Sequence, residues 1–547
     1  MKHIHIVFLV LVAASCIRSS PQGQSIEPLA PALKNLIEAI DSNPNYLVEE
    51  ESIYDVANLV TFYQGHNYQP VWIEANKVTV WGKELIAAIS NADEEGLEPK
   101  EYHLDKILFL TSSAKSNDDT SQDILHLEVL LTDAYLTFAS HLYKGKVCPE
   151  KVDPGWHADC KQTELDYSSH MAQAIAERDI MRSLDRLKPQ EAAYQQLKAA
   201  LLHYRRLQTE QQGQASQLKL TTVPDYDHLD LDFLGERLVA LGDLSESDRD
   251  DPDKVAHAIA RFQHRHSLNS DGMIDSLTVA ALHKSLDERI QTIETNLERW
   301  RWLPLDLGEK YVLVNIANFS LEVFEGSEVV FESGVIVGTQ FHRTPVFNAQ
   351  MTHLILKPYW HVPRSIIDDE ILTLSDPAAY VDRNKISLID QGGQIISGDS
   401  INWEAAKPGS FPYRLRQEPG SHNSLGLIKF MFPNSYAVYI HDTPAKRLFE
   451  KEVRTFSHGC IRLEKPFELA EYLLQDFPKW DLAALEEATT LEEYNNHRIN
   501  LPNPLPVYVL YWTAWMDHQE HVHFREDIYQ RDQAVWQALK QPIEIAL

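Results

Sequence analysis

The chain has 547 residues, 44% of them hydrophobic, and a formal charge of −30. That length exceeds what one compact core supports and calls for three or four folded units. The negative balance argues against a polyphosphate partner, because a nucleic-acid surface needs a basic stripe; an acidic exterior mainly favours solubility.

Met1-Lys2-His3 leads into the apolar run Ile4 to Val12 and then Ala13-Ala14-Ser15-Cys16. A basic start, a short apolar core and small residues before a cut site predict a secretory signal over residues 1–20, and the run is too short to span a bilayer. Small residues directly before Cys16 also resemble a lipoprotein signal, although Ala13 stands where such signals carry Leu, so lipidation of Cys16 is left open. The expectation is an exported, periplasmic protein, soluble or tethered by that lipid.

Three other cysteines remain. Cys148 and Cys160 are close enough in sequence for a local disulfide in an oxidising compartment. Cys460 is left over, and its neighbours decide between a buried inert thiol and a reactive one.

Residues 17–30 are polar and read as a linker. From 28 to 222 the apolar residues recur at three and four positions, as in Leu127, Leu130, Leu131 and Ala134, predicting a helical scaffold. Helices are expected over Pro31–Ile40, Ser52–Gln64, Gly82–Asn91, Ile124–Leu142 and Ala192–Arg206. Tyr68 to Trp72 and Gly96 to Pro99 interrupt the pattern. His66, His103, His126 and His141 are scattered and read as surface or capping residues. Residues 211–228 form a second linker.

Between 223 and 290 three short helices are expected, Leu231–Gly242, Val255–His266 and Ser276–Leu286. Asp271-Gly272 supplies a tight turn, and Ser276 is the expected N-cap of the third helix. Phe262-Gln263, Leu268, Asp271-Gly272, Thr278 and Leu282 resemble the three-helix peptidoglycan-binding module that accompanies many cell-wall enzymes.

After the helix Glu288–Trp302 the sequence turns β-rich, with strands at Tyr311–Ile316, Ser320–Glu325 and Glu328–Val337, the last two joined at Gly326-Ser327 as a hairpin. Residues 350–415, beginning near Trp360-His361-Val362-Pro363, break this rhythm and read as an inserted lid or binding element. A further strand is expected over Tyr436–Ile440. Alternation puts Val438 and Ile440 on the core face and Tyr439 and His441 on the other.

The chemistry-bearing residues are His441 and Ser457-His458-Gly459-Cys460-Ile461-Arg462. A thiolate is the attacking form of cysteine, and a nearby imidazole can take the thiol proton. Acyl transfer also needs donors aimed at the tetrahedral oxyanion. Gly459 allows a sharp turn, so the N–H groups of Gly459 and Cys460 are the candidates. Arg462 can hold a carboxylate bidentately. Lys429, Arg454 and Arg364 are further cations for an anionic substrate.

This pattern resembles the signature of the L,D-transpeptidase catalytic domain over about 300–547, with supporting pieces at Val337-Gly338, Thr344-Pro345, Asn423–Phe430 and His441-Asp442-Thr443-Pro444. The order of units resembles the large periplasmic members of that family. The resemblance implies a multidomain α+β protein: a helical N-terminal scaffold, a three-helix peptidoglycan-binding bundle, and a mostly β sandwich catalytic domain with a lid insertion. It implies Cys460 as nucleophile, His441 as base, Gly459 at the oxyanion hole and His458 as site support. Tyr439, Arg462, Lys429, Ser457 and Trp360 would contact substrate. The implied reaction is attack on a donor tetrapeptide stem of peptidoglycan, release of D-Ala and transfer of the acyl-enzyme to an amine of a second stem, forming a 3→3 cross-link without a cofactor. Other cell-wall synthesis enzymes are the expected partners.

Two other readings remain. Water in place of the second stem makes an L,D-carboxypeptidase, and a degenerate catalytic part would leave a wall-binding scaffold. His518, His521 and His523 lack a further ligand set at metal spacing and read as part of a hairpin.

Overall fold

A computed structural model describes residues 29–43, 45–113, 121–158, 165–212, 231–517 and 521–543. The expectations for Cys16, for the Cys148–Cys160 pair and for His518 fall outside the described residues.

The scaffold is helical, as its periodicity requires. The helices observed are Leu29–Ser42, Val56–Gly65, Val80–Ser90, Ser121–Lys144 and Ala192–Gln212, with shorter pieces between them. Helix Ser121–Lys144 is its axis. Leu127, Leu130, Leu131, Ala134 and Leu142 are buried along it, and so are Glu128 and Asp133. A buried carboxylate must be matched by donors. Glu128 accepts the backbone N–H groups of Val71, Trp72 and Ile73 and the Tyr63 hydroxyl, so it pins the turn after Pro70. Asp133 accepts His103 Nε2–H at 2.8 Å, and Glu51 meets Nδ1 at 3.0 Å. His103, His126 and His141 are thus buried rather than surface residues. Sequence spacing hid this because their partners, carboxylates for His103 and His126 and the Tyr102 hydroxyl for His141, lie in other segments. With both carboxylates outweighing its burial, His103 is pushed up to about 9.

The three-helix unit comprises Leu231–Ala240, Pro252–Arg265 and Ser276–His283. Gln263 explains much of its motif. Its amide donates to Met273 O and Thr278 Oγ1, and its carbonyl accepts from Gly272 N–H, where the backbone turns at φ +74°. The N-cap of the third helix is Asp275, not Ser276: Asp275 Oδ1 accepts Thr278 N–H at 2.7 Å. The unit does not stand apart. Leu238, Val255, Ile259 and Phe262 continue into the apolar core of the β-rich region, and Arg265 donates to Val522 O at 2.6 Å.

Helix Leu286–Trp302 joins all three regions. Ser285 caps it through a capping box with Glu288. Its buried charges are paired: Glu298 with Arg301 of the same helix and with the Val147 N–H of the scaffold, and Arg299 with the distant Asp532.

In the β-rich region we number the strands of the main sheet β1 (Lys310–Asn315), β2 (Ser320–Glu325), β3 (Glu328–Gly338), β4 (Val346–Leu356), β5 (Ile428–Met431), β6 (Ile440–His441), β7 (Thr455–Ser457), β8 (Ile461–Leu463) and β9 (His497–Leu510). Their order is β5-β6-β8-β3-β2-β1-β9-β4, with β7 paired to β3 off this path; β4 pairs back onto β5, and a tenth strand, Trp156–His157 from the scaffold, runs parallel to β4. The two layers expected of a sandwich are thereby joined into a ring around Val312, Val314, Leu354, Phe430, Ile440 and Ile461, all fully buried. Pairs β6–β8 and β1–β9 are parallel.

The insertion begins later than the expected residue 350, which lies within β4. Because β4 and β5 are antiparallel neighbours, the chain from Lys357 to Leu427 is an inflated hairpin tip, closed at its base by Lys357 N–H donating to Leu427 O at 2.7 Å. It carries its own four-stranded sheet, in the order Trp360–His361, Arg414–Gln417, Ile386–Ile389, Ile395–Ile396. It also has its own small core of Trp360, Ile367, Ile371, Val381, Leu388 and Leu415. Near the C terminus, Ala514–Met516 pairs with Val522–Phe524 as the expected hairpin.

Candidate active site

Three short strands assemble the site. Lys429 on β5 pairs with His441 on β6, and His441 pairs with Arg462 on β8. Their neighbours Phe430, Ile440 and Ile461 point into the main core and are fully buried. Alternation therefore puts Lys429, His441 and Arg462 in one row on the opposite face. The Ile461 N–H donates to Tyr439 O at 3.0 Å, which continues the register one step and sets Tyr439 beside Cys460. His441 and Cys460 are diagonal neighbours on that face.

The expected strand over Tyr436–Ile440 is shorter than its alternation implied. Ser435 and Tyr436 form a turn, Ala437 has φ +55°, and the ladder begins at Ile440. The faces of Tyr439 and His441 are nonetheless as alternation requires. His441 is only 4% exposed although it lies on the face away from the main core. The insertion covers that face, with Tyr439 packed against its apolar core.

His441 Nδ1 lies 2.5 Å from the carbonyl oxygen of Asp442. A carbonyl only accepts, so Nδ1 carries the hydrogen and Nε2 keeps its lone pair. Burial, followed by the neighbouring Arg462 and Lys429 charges, holds the imidazole down at about 3. The ring is neutral at physiological pH. Asp442 is itself held: its Oδ2 accepts Leu427 N–H at 2.8 Å, and Lys446 lies 2.9 Å from its Oδ1. Gly426, at φ +62°, is obligatory here because a Cβ would collide with the Asp442 carboxylate.

Burial pushes the Cys460 thiol up. Tyr439, through its backbone and its hydroxyl, pulls it back, as do the Lys429 and Arg462 charges. Lys429 Nζ sits 3.6 Å from the centroid of the Tyr439 ring, a cation–π arrangement. Burial lowers both Lys429 and Arg462, and the Cys460 sulfur is the anion that offsets this. Among the described residues neither cation is ion-paired to a carboxylate. Arg462 donates to Phe456 O at 3.3 Å.

The loop before Cys460 is braced from inside. Ser457 Oγ lies 2.5 Å from Cys460 O and accepts Gly459 N–H at 3.1 Å. Thr344 Oγ1 donates to Gly459 O at 2.9 Å. Thr344 N–H and Gly338 O are both bonded to the Tyr529 hydroxyl. Gly459 has φ +104°, a left-handed turn that suits glycine alone.

Several expectations change. The Gly459 N–H is occupied by Ser457, so it is not a free oxyanion donor; the N–H of Cys460 makes no hydrogen bond among the described residues. Ser457 is buried and braces the loop, and Trp360 is buried in the insertion's core. Arg454 lies beside Glu464 and over the Phe319 ring, and Arg364 is bound to Asp368 and Phe411 O; neither joins the row at Cys460. His458 is exposed, contacts Glu370 of the insertion and packs at 4.7 Å on His342. Glu370 and Tyr529 were missed because they lie about 70 to 90 residues from Cys460, and no local pattern announces them. Among the described residues no group of His, Cys, Asp or Glu is arranged to hold a metal, and no helix is long and apolar enough to cross a membrane. His523 bonds to Asp517 instead, at 2.8 Å.

Comparison with known proteins gives three family matches. Residues 309–487 match the L,D-transpeptidase catalytic domain, residues 57–201 a "Scaffold domain" and residues 229–282 a "Putative peptidoglycan binding domain". A Haemophilus influenzae protein described as "Putative L,D-transpeptidase" is 33% identical over 247 residues, which are 45% of this chain and 49% of that protein. The chain thus spans about half the length of this curated relative. Among solved structures, an L,D-transpeptidase from Mycobacterium smegmatis aligns at 13% identity with a TM-score of 0.18, over 37% of this chain and 58% of its own. The "Ldtfm-avibactam carbamoyl enzyme" aligns at 12% with a TM-score of 0.17, over 41% and 63%. At such scores neither superposition carries an argument.

Proposed function

Residues 309–487 are an L,D-transpeptidase catalytic domain, and from that premise we propose that the chain is an exported cysteine acyltransferase that forms 3→3 cross-links between peptidoglycan stems. The observation that carries this reading is the orientation of His441. Its Nδ1–H is committed to Asp442 O, which leaves Nε2 as the ring's acceptor on the face it shares with Cys460.

The Cys460 sulfur attacks the carbonyl of the donor stem's diamino acid while His441 Nε2 takes the thiol proton. A raised thiol beside a neutral imidazole favours proton removal in concert with attack over a standing thiolate–imidazolium pair. The Cys460 N–H is the donor available to the tetrahedral oxyanion. Collapse breaks the bond to D-Ala, whose amine leaves with the proton from His441, and a thioester remains. An amine of a second stem then attacks the thioester, His441 takes its proton, and the sulfur is released. Lys429 and Arg462, without carboxylate partners among the described residues, are suited to the anionic groups of the stem. The match of residues 229–282 to a peptidoglycan-binding domain supports delivery of the site to the wall, and on this reading the chain works in the periplasm beside other cell-wall enzymes.

Purified muropeptides incubated with the enzyme test the reading. Cross-linked dimers and free D-Ala are the expected products, and Cys460→Ala should abolish both, together with any covalent adduct by intact mass. Tripeptide monomers without dimers would make the enzyme an L,D-carboxypeptidase. An adduct that persists in Cys460→Ala would refute cysteine chemistry.

A further inference from the structure

We propose that Glu370 is a positioning residue that latches the insertion over Cys460 by holding His458; this rests on the reading of Cys460 as the reacting residue. Four observations converge on it. The insertion packs around its own core, so it can move as a body. It is anchored at its base to the segment that leads into β9: Lys357 Nζ donates to Leu491 O at 2.8 Å and Tyr359 N–H to Asn496 Oδ1 at 3.4 Å, while Asn423 Nδ2 ties Pro358 O at 3.0 Å within the insertion itself. Glu370 follows helix Arg364–Asp369 and precedes Ile371, and Ile367 and Ile371 are both buried in the insertion's core. Its backbone is therefore rigid with the insertion, while its carboxylate reaches His458 Nε2.

His458 is equally rigid with the other side. It is flanked by Ser457 and Gly459, whose bonds to Cys460 O and Thr344 fix the loop. Its ring is backed by His342. The Glu370–His458 bond thus spans 88 residues between the insertion and the loop that carries Cys460. Both side chains are partly exposed, Glu370 at 49% and His458 at 34%. A bond of that kind is weak enough to open for an incoming chain and to close behind it. Closure would keep water from the thioester and retain the donor.

The test is the alkylation rate of Cys460 by a bulky maleimide in the full chain, followed by peptide mass spectrometry so that the other cysteines do not interfere. Glu370→Gln keeps the shape and removes the charge at an exposed position, so the fold should persist. The rate is read at a pH high enough to ionise the thiol fully, so that thiol ionisation does not enter the comparison. We expect the rate there to rise about twofold to fivefold in Glu370→Gln, the scale of a partly exposed ion pair, and to rise equally in His458→Gln and in the double variant. With stem peptide, KM should increase more than kcat falls. An unchanged plateau rate in Glu370→Gln, or single effects that add in the double variant, would overturn the latch. Alkylation needs no acyl transfer, so this outcome is independent of whether muropeptides are cross-linked.

Discussion

The ammonium of Lys429 lies 3.6 Å from the centroid of the Tyr439 ring, and the phenol of that residue acts on the Cys460 thiol. Burial raises the thiol; the phenol and the cation act against that rise. Tyr439→Phe removes the phenol hydroxyl while leaving the ring and its cation–π partner. Iodoacetamide labelling of Cys460 at pH 8 should slow roughly tenfold, equivalent to ~1.4 kcal/mol. A rate equal to that of the parent protein would remove Tyr439 from the chemistry.

Arg462 acts on both partners of the pair. Its charge lowers His441 and favours the Cys460 thiolate. Arg462→Gln should therefore raise both titrations. NMR detection of the His441 ring should show its midpoint climbing from about 3, and Cys460 labelling should move to higher pH. Movement in opposite directions would mean that the two groups do not share this field.

His441 also makes the fold sensitive to acid. Its imidazole titrates at about 3 in the folded chain against the ordinary histidine value of 6.5, so below pH 6.5 the unfolded chain binds the extra proton. The stability associated with this group is complete above pH 6.5 and is lost as pH falls toward 3. Melting curves at pH 7 and pH 4 should show a smaller acid-induced drop for His441→Gln than for the parent protein. The difference should be of the order of a few kcal/mol. Other buried histidines, such as His523 at about 4, affect both proteins alike. Equal drops would contradict a buried neutral His441.

Gly426→Ala tests the support beneath His441. The substitution places a methyl group against Asp442 and strains a residue at φ +62°. We expect a loss of about 2–3 kcal/mol, read as a lower melting temperature, together with slower acylation because Asp442 O orients the ring. An unchanged melting temperature would show that the loop yields freely.

Much of this was local and therefore legible from the chain alone. The three-and-four spacing marked the scaffold helices. Asp271-Gly272 marked a turn, and alternation placed Tyr439 and His441 away from Val438 and Ile440. The thiol, the imidazole and the left-handed glycine came from adjacent or nearly adjacent residues. Burial was harder to read. His103 and His141 read as surface or capping residues, and the burial of Trp360 and Ser457 was not apparent, because neither their hydrogen-bond partners nor their covering layers are encoded nearby.

What the sequence by itself determined was the order of the units, the residues able to react, and the face on which each strand shows them, since backbone period and covalent neighbourhood decide those. Only the tertiary structure decided that β5, β6 and β8 align Lys429, His441 and Arg462 in one row, and that the insertion buries His441. It also decided that the Gly459 N–H is already taken and that Glu370 meets His458. Each of these depends on which distant segments pack together, and strand register and layer contacts are set by the whole core rather than by any stretch of it.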